Sequence, residues 1–281
     1  PVLGSIQEKF SREFRQLLPA RVDIPVSGDV LGFEITTRIA NCVARYIIGI
    51  AAAISGDLQY AESLYDDVMD GLPSDHEGFP IYDALRARTP LRLAEIHEAR
   101  AGAAFQGWTV SRSDEDLNTV RQHLDKIAPG ACERYRVWLL DSILAFLRDR
   151  DVGKAIDVLQ RCRSIDDATW RLNLAFLYGY QGQLSEASRE YRAATRLQIG
   201  SPSVIANVEE FLLWAATLEP KRIGLWYCLG EFNWRIKGDP ERAIEEFEHF
   251  LSECPHGEFA DDATRVRAWL VEIRTMQERR L

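Results

Sequence analysis

Apolar residues return every three or four positions along most of the chain, and these runs come in pairs separated by short polar turns. The clearest case covers residues 42–73. Ile47, Ile48, Ile50 and Ile54 stand among small residues, Gly56-Asp57 interrupts, and Leu58, Ala61, Leu64, Tyr65 and Val68 then share one helical face before Pro73. This spacing predicts two antiparallel helices joined by a tight turn, the first beginning near Ile35. A single partner cannot cover so apolar a first helix, which predicts further pairs stacked beside it.

Ahead of this pair, Ile6, Phe10, Phe14, Leu17 and Leu18 predict a short amphipathic helix over residues 5–18, and residues 21–26 read as an extended segment in coil. Beyond it, a helix is expected over residues 90–107, starting at Pro90. Another is expected over 114–127, with Ser113 as N-cap and Asp116 three positions on as a variant of the capping box. Residues 132–162 repeat the paired design, with Val137, Leu139, Leu140, Ile143, Leu144 and Leu147 before a polar turn at 149–151 and Ala155, Val158 and Leu159 after it. Residues 168–197 repeat it more cleanly. An extra helix follows over 203–218, then a last pair over 224–255 in which Asp239 caps a helix that opens on Pro240. Residues 259–280 read as a terminal capping helix.

Three of the turns obey one rule: Gly56, Ala61 and Tyr65; Gly182, Ala187 and Tyr191; Gly238, Ala243 and Phe247. In each, a small residue follows the glycine by five positions and an aromatic by nine. Ala155 with Leu159 is a fourth, weaker instance, 32 residues before Ala187. The pattern resembles the tetratricopeptide repeat, whose period is about 34 residues. Ile48-Gly49 and Leu174-Ala175 also suit the first helix of that repeat, whereas Leu229-Gly230 stands one position out of register. The resemblance implies an all-α fold, a right-handed superhelical α-solenoid of antiparallel helix pairs over residues 35–281. An N-terminal helix and extended arm over 1–34 would precede it. In that family the small residue lets the two helices of a unit approach, and the aromatic fills the space toward the next unit.

Composition narrows the partners. The 281 residues carry a formal net charge of -9 and are 46% hydrophobic and 27% charged, which suits a folded chain and opposes a general nucleic-acid or anionic-membrane binder. A local basic patch stays open. The longest unbroken apolar run, residues 46–54, falls well short of a bilayer span. Five scattered cysteines, Cys42, Cys132, Cys162, Cys228 and Cys254, form no Cys-x-x-Cys pair and read as reduced thiols of a cytoplasmic protein. Residues 1–5, Pro-Val-Leu-Gly-Ser without an initiator Met, resemble a protease scar, so the chain reads as a piece of something longer.

The resemblance implies a polypeptide-binding scaffold without catalytic activity or cofactor. Its concave groove would be lined by Val137, Leu140, Leu144 and Arg148, then Leu172, Phe176 and Tyr180, then Cys228, Phe232 and Arg235. Such walls suit an amphipathic helix or an extended apolar peptide. The alternative is that tight curvature packs these side chains against one another. The paired lysines and asparagines with which some relatives clamp a C-terminal carboxylate are missing, so docking of a chaperone tail is not expected. A second functional reading makes the chain a regulatory or oligomerisation module whose apolar first pair docks on a domain outside this sequence. The residue 5–18 helix would then lie against residues 47–54, or in the groove as a self-bound arm.

Chemistry-bearing patterns are sparse. His97-Glu98 opens like a zinc-protease signature, but Ala101 stands where the second histidine belongs, and His97 with Glu95 and Glu98 reads as an exposed polar face. His249, Cys254 and His256 cluster without a fourth ligand, so no metal site is expected. No nucleophile elbow, Walker loop or dinucleotide fingerprint occurs. Asp66-Asp67, Asp114-Glu115-Asp116 and Asp261-Asp262 read as acidic residues at or near helix ends, explained by capping and solvation. Arg88, Arg92 and Arg100 would form one basic stripe on a continuous helix, which Pro90 argues against.

Overall fold

Gly56, Gly182 and Gly238 all take left-handed backbone conformations, with φ of 89°, 83° and 70°. That conformation ends one helix and turns the chain back antiparallel, at little steric expense to glycine. After Gly56 and Gly182 the next residue returns its N–H to the carbonyl five positions earlier, Asp57 to Ala52 at 3.0 Å and Gln183 to Tyr178 at 2.8 Å. The side chain of the residue after the turn can then cap the second helix. Asp57 accepts from the Tyr60 N–H at 3.0 Å and Asp239 from the Arg242 N–H at 3.2 Å.

A computed structural model of the chain describes residues 30–72, 80–128, 130–131, 135–161, 167–197, 202–254 and 257–279. Among these residues the fold is all-α, built of antiparallel helix pairs without strands. The helices are α1 (Val30–Ser55), α2 (Leu58–Gly71), α3 (Pro80–Ser111), α4 (Asp114–Asp125), α5 (Tyr135–Leu147), α6 (Val152–Arg161), α7 (Ala168–Tyr180) and α8 (Leu184–Ala194). They continue as α9 (Pro202–Leu218), α10 (Ile223–Phe232), a π turn (Asn233–Lys237), α11 (Pro240–Glu253) and α12 (Ala260–Glu278). The chain divides into two compact units, residues 1–140 and 141–281. The residue 5–18 helix, the extended segment, Pro73, Cys132, Cys162, Pro255 and His256 lie outside the described residues.

In the first unit, Cys42, Tyr46 and Ile50 of α1 pack with Ala61, Tyr65 and Val68 of α2 and Tyr82, Leu85 and Ile96 of α3. Helix α1 starts at Val30, five residues before the sequence expectation, because Gly32 weakens a helix by only about 1 kcal/mol and need not break it. Its stretch Arg38–Ser55 is long and apolar enough by length and composition to cross a membrane, yet its Cys42, Tyr46 and Ile50 belong to the core just described.

Helix α3 corrects a second boundary. It runs unbroken through Pro90 for 32 residues, instead of starting there. The neighbouring Thr89 is fully buried, and its hydroxyl donates to the Leu85 carbonyl at 2.7 Å. The Ser113 cap is present, accepting from the Glu115 N–H at 3.2 Å, but the box is relayed: Ser113 N–H donates to the Ser111 hydroxyl, which donates to Asp116. Asp66 and Asp67 stand inside α2, five and four residues before its last residue.

The second unit buries Leu184, Tyr227, Ala243, Phe247, Phe250, Val266, Trp269 and Ile273 in one cluster. Ala61, Ala187 and Ala243 are fully enclosed, as are Tyr191 and Phe247, while Tyr65 is all but so. The polar turn at 149–151 joins this family unexpectedly. Arg150, five residues before Ala155, takes the glycine's place with φ of 56°. Asp151 then caps α6, accepting from the Lys154 N–H at 2.8 Å.

Candidate functional site

The side chains expected along the groove mostly pack into the structure. Leu140, Leu144, Leu172, Phe176 and Phe232 are buried, as is Cys228, and Val137 is half-buried. Phe176 meets Phe146 edge-on at 5.1 Å, and Phe211 of α9 closes on both rings, at 5.1 Å from Phe176 and 6.4 Å from Phe146. The helix that interrupts the repeat rhythm therefore covers this apolar face. Arg148 is exposed and Tyr180 half-buried. Arg235 is engaged by its own unit: it ion-pairs with the fully buried Glu231 and lies 4.0 Å over the Trp234 ring and 5.1 Å from that of Trp269.

Beside Phe176, the tip of α7 forms a polar rim. The Tyr180 hydroxyl donates to Glu219, and Arg222 ion-pairs with Glu219 while its guanidinium stacks 3.9 Å over the Tyr180 ring. Arg222 also donates to the Tyr180 carbonyl at 3.2 Å. Burial and the hydrogen bond to Glu219 push the phenol up. Burial would raise the Glu219 carboxyl, but its bonds from Tyr180 and Arg222 outweigh that and hold it low.

A second polar feature went unnoticed in the sequence. Helix α8 sets Arg189 and Arg192 three residues apart, hence on one face, and Arg196 follows in the turn just past its end. With Ser185, Ser188 and Arg265 of α12 they line a cleft of about 360 Å³. Arg265 spans it from the far side, donating to the Ser185 hydroxyl at 3.0 Å and to the Tyr227 hydroxyl at 3.3 Å. Tyr227 in turn donates to Glu231 at 3.3 Å, so a buried carboxyl lies behind the cleft floor. Burial raises the Glu231 carboxyl against the pull of Arg235 and Arg192. The spacing of Arg189, Arg192 and Arg196 is legible in the sequence, where it overlaps the alanine and aromatic pattern of Ala187 and Tyr191.

The third cluster overturns an expectation. His97 is 4% exposed, not part of a polar face. Its ring stacks on His123, with centroids 5.6 Å apart, and its Nε2 stands 3.7 Å from Glu62, which also pairs with Arg100 and, at 3.2 Å, with Lys126. Burial pushes both imidazoles down, aided by the Arg100 and Lys126 charges. For Glu62 burial acts upward, and Lys126 and Arg100 more than offset it. These pairings tie Arg100 to α2 and leave it out of any free basic stripe, although α3 is continuous; Arg92 pairs with Glu95. No group of side chains fit to hold a metal occurs among the described residues.

No protein-family model and no curated protein matches the sequence. Among solved structures, the chain is similar to YrrB, a TPR protein with an unusual peptide-binding site, at 13% identity and a TM-score of 0.38, over 85% of this chain and 100% of that one.

Proposed function

We propose that this chain is a noncatalytic interaction module of the tetratricopeptide type that binds a polypeptide. The observation that carries the reading is the recurring turn. Four left-handed turn residues, Gly56, Arg150, Gly182 and Gly238, are each followed at five positions by a fully buried alanine, and three at nine by a buried aromatic. A frame repeated in this way orders helices into a binding surface without supplying reaction chemistry. The contact surface of the second unit is the outer edge of the expected groove. In this reading the exposed Arg148 and the half-buried Tyr180 offer the polar contacts, with the buried Leu144, Leu172, Phe176 and Phe232 behind them, while Arg235 is already paired with Glu231. Affinity capture with the full chain tests this, comparing wild type with Arg148→Glu and Arg222→Glu variants of unchanged circular dichroism. A partner retained by wild type and lost by either variant supports the reading; equal retention by all three rejects it.

The runner-up is docking of a further domain or a second copy on α1. Ile48 and Ile54 favour it, being 45% and 42% exposed on an otherwise apolar helix. An Ile48→Glu/Ile54→Glu variant that shifts from dimer to monomer by light scattering would support this reading over the first.

A further inference from the structure

We infer that the arginine-walled cleft of the second unit is a phosphomonoester site, and that the phosphate it takes is carried on a serine or threonine of the partner polypeptide. The anion chemistry rests on the cleft alone; the polypeptide source rests on the scaffold reading above. Four guanidinium groups border a space of about 360 Å³, the size of one head group with its linking atoms. Two are already matched: Arg265 lies 3.1 Å from Asp262 and Arg189 lies 3.6 Å from Glu190, a carboxylate shared with Arg171 at 2.6 Å. Among the described residues Arg192 and Arg196 make no ion pair, and both are exposed. The cleft therefore holds a surplus of two positive charges in a chain whose net charge is -9.

Two guanidiniums bordering one cleft, Arg192 also 5.9 Å from the Trp269 ring, complement a dianion with three acceptor oxygens better than a single carboxylate, which would leave one of them unmatched. The wall adds the Ser185 hydroxyl, held by Arg265, and buried Ser188 beside Tyr227 and Glu231. Nucleic acid is disfavoured by the chain's negative charge, because phosphodiester binding draws on an extended basic track.

Fluorescence anisotropy on the full chain tests the site, using a labelled pool of degenerate phosphoserine peptides and the same pool unphosphorylated. The phosphorylated pool should bind at least about tenfold tighter, the scale of one charge-assisted contact. An Arg192→Gln/Arg196→Gln variant with unchanged circular dichroism should lose that preference, and Arg192→Lys/Arg196→Lys should recover part of it. Equal binding of both pools, or a preference unchanged in the glutamine variant, overturns the proposal. Glycerol phosphate serves as the free phosphomonoester. If it competes as strongly, per molecule, as the peptide pool binds, the anion site stands and the polypeptide source fails. If neither it nor the peptides bind, the cleft proposal fails while the capture experiment still decides the scaffold reading. A single-stranded oligonucleotide that binds as tightly as the phosphopeptides overturns the assignment in favour of nucleic acid.

Discussion

Gly230 and Phe247 approach so closely that a β-carbon on the glycine would lie 2.4 Å from the ring. Gly49 stands in the same relation to Tyr65, at 2.7 Å. In these two pairs the aromatic that follows the turn by nine thus covers a glycine of its own pair's first helix. Phe247 also reaches outward, to Trp269 of α12 at 5.6 Å, so filling the space toward the next element is only part of what the aromatic does. Alanine at Gly230 or Gly49 should destabilise by about 1–3 kcal/mol through overpacking. Alanine at Gly102, a helical position open on all sides, should instead stabilise by up to about 1 kcal/mol. Urea midpoints of the three variants check this contrast, and a stabilising Gly230→Ala would contradict the packing described.

Arg150 occupies a position where the other turns have glycine, and a non-glycine residue in the left-handed region is held there at a cost of about 1 kcal/mol. Arg150→Gly should therefore raise stability by up to about 0.5 kcal/mol, after the entropy glycine adds to the unfolded chain. Thermal denaturation in the presence and absence of the substitution reads the sign directly.

Arg235 neutralises the only glutamate buried to zero exposure among the described residues, Glu231. Arg235→Leu should cost about 3 kcal/mol, because the remaining carboxyl is left unpaired in the core. Adding Glu231→Gln should return part of that loss, since an amide carries no charge to bury. A double variant less stable than Arg235→Leu would show that the carboxyl is satisfied in some other way.

His97 and His123 give stability a defined pH dependence. Both have folded-state values below their ordinary 6.5, so the unfolded chain binds more protons as the solution is acidified. Their contribution is fully present above pH 6.5 and is lost as pH falls from there through the depressed values. Glu62, also held below its ordinary 4.5, adds a further loss below that pH. Glu246, raised to about 6 first by burial and then by Glu245, works oppositely, favouring the fold below its unfolded value and losing that contribution as pH rises through 6. Chemical denaturation at pH 7.5 and at pH 5 should therefore show wild type losing more stability, or gaining less, toward acid than a His97→Leu/His123→Leu variant does. Equal slopes in the two would contradict the buried pairing.

The paired helices were legible because their signal is local: a left-handed glycine, a small residue and an aromatic at set distances within one turn and helix. The register slip at Leu229-Gly230 was visible too, but its cause was not. The π turn at Asn233–Lys237 inserts one extra residue between Gly230 and Gly238, and Asp239 N–H accordingly reaches back six positions, to Asn233, instead of five. The helix thereby keeps Gly230 facing Phe247 although the spacing to the turn is longer. Arg150 was missed because an arginine gives no compositional sign of a left-handed backbone. His97 was misplaced because its surroundings, Glu62 and His123, come from helices 35 and 26 residues away in the sequence. The cover that Phe211 places over Phe176 and Phe146 depends on where α9 docks, which periodicity within α9 cannot specify.

Hydrogen–deuterium exchange on the full chain, free and saturated with its captured partner, tests the interaction-module account most directly. The account predicts slowed exchange around residues 148–151, 180–183 and 219–222, at the rim of Tyr180, Glu219 and Arg222, with no change along α1. Protection confined to residues 46–54 of α1, with the rim unaffected, would contradict it.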